Sequence, residues 1–463
     1  VTSLTVESGT SYGPELLVHL RGGRRRAQLE DRLRELVRDG TLAAGSQMPS
    51  SRALAGDLGV SRRLVVDAYA QLLAEGYLVA RRGAGTYVAA AGSVRDASAA
   101  PARSSALRFD FFPGAPDLSA FPRALWLSAT REVLRTAPDG AFAYPDARGA
   151  PALRHALSAY LRRVRGVAVD PEAVVVCAGA TQGLAVLGRA LLSEGVEAID
   201  VEDPGLPPHR AVLDYAGLRV RGARVDEHGL DVRSLRSPVA LCTPAHQCPT
   251  GVVLSPQRRG ELVRWARDGG LVIEDDYDAE FRYDRAPLAA LQGLAPDRVV
   301  YMGTVSKTLA PGLRLGWLVV PPSLSDAVVQ AKALDDLGCS ALEQLVLARL
   351  LETSAYDRHL RKARRRNRAR RDALIDAVAR ELPGAHVSGV SAGLHALVRL
   401  PRAVELQPLL AGAMARSLGI YPLNLHRIDP GGGVEALVMG YANLSEPAIA
   451  EGVRRLAGVL EEL

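Results

Sequence analysis

The chain has 463 residues, 48% hydrophobic and 23% charged, a balance that excludes disorder and predicts two or three folded domains. No apolar run approaches the ~20 residues of a membrane span and the start of the chain carries no signal-peptide core, so a cytoplasmic protein with no membrane partner is expected. Cys177, Cys242, Cys248 and Cys339 show neither metal-ligand spacing nor a disulfide framework, and a formal charge of +6 is mild for this length.

In chain order, the basic cluster Arg24, Arg25 and Arg26 precedes a helical period. Leu29, Leu33, Leu36 and Val37 share one face, and this helix is expected to stop near Gly40. Pro49 leads to Ser50 or Ser51 as the cap of a short helix carrying Arg52, Leu54, Ala55 and Leu58, which Gly59 breaks. Ser61 caps the next helix, whose apolar face is Val65, Ala68, Tyr69, Leu72 and Leu73. Residues 77–80 and 86–88 read as a hairpin around a basic, glycine-containing turn.

That order predicts a winged helix-turn-helix over residues 14–88, although any small three-helix domain shares the period. The capped helix would enter the major groove of double-stranded operator DNA with Ser61, Arg62 and Arg63 on its first turn, and Arg52 lies on the helix before it. The wing would bring Arg81, Arg82, Gly85 and Thr86 to phosphates. Residues 1–92 hold 12 Arg against 9 Asp and Glu, so a basic face is expected rather than a basic domain. The wording of residues 42–55, of Leu58-Gly59-Val60-Ser61-Arg62 and of Tyr69-Ala70-Gln71-Leu72 resembles the GntR family of bacterial transcription regulators.

Residues 89–107 read as a flexible linker. From 108 to 463, strand-like runs at 174–177, 198–201, 239–242, 271–273 and 299–302 alternate with helical ones. They predict an α/β domain with a largely parallel sheet, whose ligands sit at the carboxyl ends of the strands. Lys307 follows the last run among Thr304, Ser306 and Thr308, with Arg314 seven positions on. A lysine in dry surroundings can form a Schiff base, and hydroxyls with an arginine can hold a phosphate. Pyridoxal phosphate carries both the aldehyde and the phosphate. Asp275 could keep its pyridine nitrogen protonated, with Asp276 competing, and Tyr277 could donate to its phenolic oxygen. Gly179-Ala180-Thr181-Gln182 offers amides at a helix start. Each group alone is more simply a cap, an ion-pair partner or a solvated lysine.

With residues 144–149 and 244–251, these runs resemble the fold-type I aminotransferases. Joined to the reader, the chain resembles the MocR/GabR family of regulators over nearly its whole length. The resemblance implies a winged helix-turn-helix, then a mostly parallel α/β domain with a smaller C-terminal α/β subdomain. It implies Lys307 as the Schiff-base lysine, Asp275 at the pyridine nitrogen and Tyr277 at the phenolic oxygen. Thr304, Arg314 and the amides of Ala180 and Thr181 would meet the phosphate, and the assembly would be a homodimer.

Three departures stand out. Leu206 occupies the place of an aromatic ring over the cofactor. Cys248 replaces the asparagine before Pro-Thr-Gly, leaving the phenolic oxygen to Tyr277 and to His246 or Gln247. Leu437-Val438-Met439-Gly440-Tyr441 lacks the arginine that clamps a substrate carboxylate, for which Arg399, Arg427 and Arg210 are the alternatives. These losses predict a sensor: a transcription regulator whose effector is an amine, an amino acid or pyridoxal phosphate itself. A working aminotransferase with a DNA-binding extension is the alternative. The run 361–371, eight basic residues in eleven, reads as a solvated helix face or as a second electrostatic contact.

Overall fold

Helices Arg25–Arg38, Ser51–Leu58 and Arg62–Ala74 are followed by antiparallel strands Leu78–Arg81 and Gly85–Val88. The predicted apolar positions do the packing: Leu29, Leu33, Leu54, Val65, Ala68, Leu72, Leu78 and Val88 are all buried in one core. Two caps fix where the chain turns. Ser50 Oγ accepts from Ala53 N at 3.1 Å, so Ser50 rather than Ser51 is the cap, and Ser61 Oγ accepts from Leu64 N at 3.3 Å. Each such cap contributes about 1 kcal/mol. Arg34 then ties the first helix to the end of the third, with Nε 2.7 Å from Glu75.

The structure is a computed structural model that describes residues 25–38, 40–81, 85–89, 107–283, 288–389, 391–431 and 433–463. Arg82, residues 14–24 and residues 90–106 of the expected linker lie outside the described residues. Contacts divide the chain into Val1–Ser104 and Ser105–Leu463. Among the described residues no helix is long and apolar enough to cross a membrane.

The larger unit is built on an eight-stranded sheet. In spatial order it runs Val174–Cys177, Gly316–Val319, Val299–Thr304, Leu271–Asp276, Val239–Cys242, Ala198–Asp203, Arg219–Asp226 and Gly229–Leu230. Gly316–Val319 is antiparallel to both neighbours, and Gly229–Leu230 is antiparallel to Arg219–Asp226; the other strands run parallel. The predicted runs are all present, and the last extends to Thr304 because that residue pairs with Gly316. The antiparallel return strand itself escaped the sequence reading.

The C-terminal subdomain carries an antiparallel sheet of His386–Ser388, His395–Glu405 and Gly433–Gly440. Its core includes Leu374, Leu394, Ala396, Val398, Leu437, Met439, Ile449 and Val453. Phe109–Asp110 joins it from the far end of the unit by pairing with Leu418–Gly419. Helix Ala355–Glu381 holds the arginine-rich run and sorts it. Arg364 donates to the Glu280 carbonyl, Arg366 and Arg370 sit 3.2 and 2.9 Å from Asp117, and the Arg371 guanidinium covers the Tyr283 ring. Arg361, Lys362, Arg365 and Arg368 are exposed.

Candidate cofactor site and nucleic-acid face

The parallel strands end on one edge of the sheet, and the residues singled out above line that edge. Asp275 and Asp276 close Leu271–Asp276, and strand alternation sends them to opposite faces. Asp276 accepts from Arg165 Nε at 2.7 Å, Arg165 Nη2 at 2.9 Å and the Tyr301 hydroxyl at 2.6 Å. It is a finished structural ion pair. Asp275 is equally buried, yet its Oδ1 has no hydrogen-bond partner. Burial, then the charges of Asp276 and Asp278, push its pKa well above the carboxylate range. What this carboxylate lacks is a buried cation bearing an N–H, and a protonated pyridine nitrogen fits that description.

His209, which the sequence reading passed over, places Nε2 3.7 Å from Asp275 Oδ2. Burial and the nearby Lys307 charge lower its pKa to about 4, so the imidazole is neutral at pH 7. Its position three residues after Leu206, on helix Pro207–Tyr215, was the available signal.

Lys307 is half-buried on the turn after Val299–Thr304. Its Nζ lies 3.0 Å from where a side chain on Gly114 would begin, and Gly114 itself has φ +74°. Thr304 Oγ1 donates to the Leu315 carbonyl at 3.0 Å, lies 2.9 Å from Ser306 Oγ and accepts from the Ser306 amide at 3.1 Å, which gathers two hydroxyls beside the lysine. Helix Gly179–Ser193 starts at the end of Val174–Cys177, with the Ala180 and Thr181 amides in its first turn. Arg314, in the left-handed region at φ 51°, folds its guanidinium over Gly179 and donates to the Ala178 carbonyl at 2.6 Å. A Cβ at Gly179 would stand 2.9 Å from that guanidinium, and Gly179 itself has φ +80°. Gly316, which pairs with Thr304, backs onto Gly179 and the Ala180 amide, so the helix start, the hydroxyls and the guanidinium share one end of the sheet.

Tyr277 is buried, and its hydroxyl donates to the His246 carbonyl at 3.1 Å. The Gln247 amide is already engaged: its Nε2 donates to Glu202 at 3.1 Å and to the Pro204 carbonyl at 2.9 Å. Leu206 borders a small cavity with Glu202, His209, Arg210, Thr243 and Cys248. Of the three alternative arginines, Arg399 and Arg427 are exposed, and Arg210 donates to the carbonyls of His426 at 2.8 Å and Arg427 at 3.3 Å. The same His426 carbonyl accepts from the Gly205 amide at 3.0 Å, and the Ile428 amide donates to Asp203 at 3.0 Å. These bonds latch residues 426–428 of the C-terminal subdomain onto the loop that carries Leu206.

In the smaller unit Arg52, Ser61, Arg62, Arg63, Arg81 and Gly85 are exposed and Thr86 is half-exposed. Ser61 caps the helix on which Arg62 and Arg63 form the first turn, and Arg62 Nε reaches back to Ser51 Oγ at 3.5 Å. Arg81 lies over the Tyr87 ring, 4.5 Å from its centroid.

Residues 117–424 match the family "Aminotransferase class I and II", and residues 25–88 match "Bacterial regulatory proteins, gntR family". The probable rhizopine catabolism regulatory protein MocR of Rhizobium meliloti is 32% identical, the match covering 93% of this chain and 92% of that protein. The pyridoxine biosynthesis transcriptional regulator PdxR of Corynebacterium glutamicum is 32% identical over 91% of this chain and 93% of its own. Among solved structures, the alpha-aminoadipate aminotransferase LysN of Thermus thermophilus, complexed with N-(5'-phosphopyridoxyl)-L-leucine, is similar. It shares 27% identity at a TM-score of 0.70, covering 77% of this chain and 93% of that one. With a GntR reader at one end and an aminotransferase-type domain over most of the rest, the chain belongs to the MocR-type regulators of the GntR family.

Proposed function

We propose that the larger unit binds pyridoxal phosphate and that its occupancy sets how the reader unit holds operator DNA. Lys307 takes the aldehyde, Asp275 the ring nitrogen and Tyr277 the phenolic oxygen. Thr304, Ser306, Arg314 and the Ala180 and Thr181 amides take the phosphate. The observation that carries this reading is the orphaned, fully buried Oδ1 of Asp275 beside an Asp276 already neutralised by Arg165. When bound, the cofactor supplies an electrophilic carbon and an electron-withdrawing ring. The chain's own part is to orient the ring, exclude water and keep His209 neutral.

We infer that the effector is pyridoxal phosphate itself rather than an amino acid. Arg399 and Arg427 face solvent and Arg210 is engaged with carbonyls, so none offers a carboxylate an idle buried guanidinium. The two relatives, named for rhizopine catabolism and for pyridoxine biosynthesis, are equally identical and do not choose between the classes. A homodimer working in the cytoplasm completes the reading. Tyr144 at 92% exposed, Leu334 at 83% and Leu337 at 63% offer apolar surface for a second copy, and Gly338 packs on Pro145, next to Tyr144. Two readers would then demand paired half-sites.

Mobility-shift titrations of operator DNA test this with the apo form, with pyridoxal phosphate, and with amines or amino acids added. Pyridoxal phosphate alone is expected to change operator affinity; a change only when an amino acid is added overturns the choice of effector. The alternative, a working aminotransferase, predicts keto-acid release at ~1 per second or more. Such turnover without operator-specific binding would sink the regulator reading.

A further inference from the structure

The sequence leaves the phenolic oxygen short of one donor, because Cys248 stands where an asparagine is expected. A buried network next to that position contains groups that cofactor anchoring leaves unused. His246 Nδ1 donates to Asp278 Oδ2 at 3.0 Å and lies 3.1 Å from the Tyr277 hydroxyl oxygen. His246 Nε2 is 3.3 Å from the Gly389 carbonyl. Both ring nitrogens thus face an oxygen, and the Asp278 carboxylate takes the Nδ1 proton. His395, whose ring centroid is 4.7 Å away, is fully buried, and burial followed by the neighbouring His246 drives its pKa well below the usual value. Room for the network is purchased at Gly393, where a Cβ would come within 2.0 Å of the His246 ring and the backbone has φ +83°.

The geometry points to His246, held by Asp278, as a positioning residue that fixes the Tyr277 hydroxyl and so replaces the missing asparagine at the phenolic oxygen of pyridoxal phosphate. Tyr277 has one proton to give. In this structure it goes to the His246 carbonyl, while the His246 Nδ1–H, shared with Asp278, also reaches the hydroxyl oxygen. The oxygen is therefore held in place while its proton can be redirected to a ligand oxygen. The groups facing the imidazole are Tyr277 and Asp278 from the loop after Leu271–Asp276, His395 from the C-terminal sheet and the Gly389 carbonyl.

This inference rests on the pyridoxal phosphate reading above, and the experiment separates the two. Full-length holoprotein is titrated from acid to alkaline pH while the visible absorbance band is followed. His246→Gln and His246→Leu are each expected to raise the band's midpoint by about one pH unit, since both release the Tyr277 hydroxyl from its place at the phenolic oxygen. Tyr277→Phe is expected to raise it too, and His246→Gln with Tyr277→Phe no further than the larger single change, because His246 acts through Tyr277. An unmoved midpoint, or fully additive shifts, overturns the assignment. So does loss of pyridoxal phosphate binding in His246→Gln but not in Tyr277→Phe. One equivalent of zinc per chain in the purified holoprotein also overturns it, since a metal on Nδ1 would displace the proton invoked here. A wild-type protein with no band dependent on Lys307 refutes the cofactor reading itself.

Discussion

The reader face and the cofactor edge use opposite physics. On the reader, Arg52, Arg62, Arg63 and Arg81 are exposed, and the nearest acid to Arg63 is Asp67 at 4.0 Å. At the cofactor edge Asp275, Tyr277, His246 and Asp278 are all nine-tenths buried or more. Exposed cations gain little from the fold and lose little when removed, so their effect is felt on a polyanion and fades with salt. Buried groups are expensive unless paired, so their effect is felt in stability, protonation and ligand affinity, and salt barely touches it.

Lys307→Ala gives the largest contrast. The visible absorbance of the holoprotein and the response of operator binding to pyridoxal phosphate are both expected to vanish, whereas operator binding by the apo form survives. A mutant that keeps absorbance and response means the site lies elsewhere. Glu202→Gln probes burial alone. Burial raises the Glu202 pKa from 4.5 to about 7, against hydrogen bonds from Thr243 and Gln247 that favour the charged form. Because the folded value is the higher one, the stability owed to this group is present below pH 4.5 and lost as pH rises through 7. Wild type should therefore lose ground to the variant by about 3 kcal/mol between pH 4 and pH 8. Urea unfolding of the two apo proteins at both pH values measures this, and a constant difference refutes it.

Asp275→Asn is expected to weaken pyridoxal phosphate binding about 100-fold while leaving the apo protein no less stable than wild type, since an unpartnered buried carboxyl has gone. Calorimetric titration and a thermal melt read the two halves separately. The smallest effects belong to the reader. Arg62→Ala and Arg63→Ala should each cost about tenfold in operator affinity, and each should lower the salt slope by about 0.9 if it neutralises one phosphate. The cofactor spectrum should not move. Arg365→Ala with Arg368→Ala, on the exposed side of helix Ala355–Glu381, is the control: an unchanged slope assigns that face to solvent.

What the sequence made legible was local. Ser61 announced its helix because a cap and an apolar period need only neighbours, and the strand before Lys307 announced itself by its apolar run. Partners distant in sequence were hidden. Asp275 and Asp276 are adjacent and chemically identical; they differ because Arg165, 111 positions away, neutralises only one of them. The arginine run looked uniform until Asp117, 253 positions from Arg370, drew part of it inward. Gly316–Val319 was missed because a four-residue strand returning from the Pro311–Leu313 turn carries little periodicity of its own.

The bonds from Gly205 and Arg210 to the carbonyl of His426 have a mechanical meaning as well as a structural one. They fasten the loop beneath Leu206 to the C-terminal subdomain at a single oxygen, with Ile428 and Asp203 as a second fastening. A ring settling against Leu206 loads that joint directly. A fluorophore attached near Ile428 would report whether a ligand at Leu206 disturbs that joint.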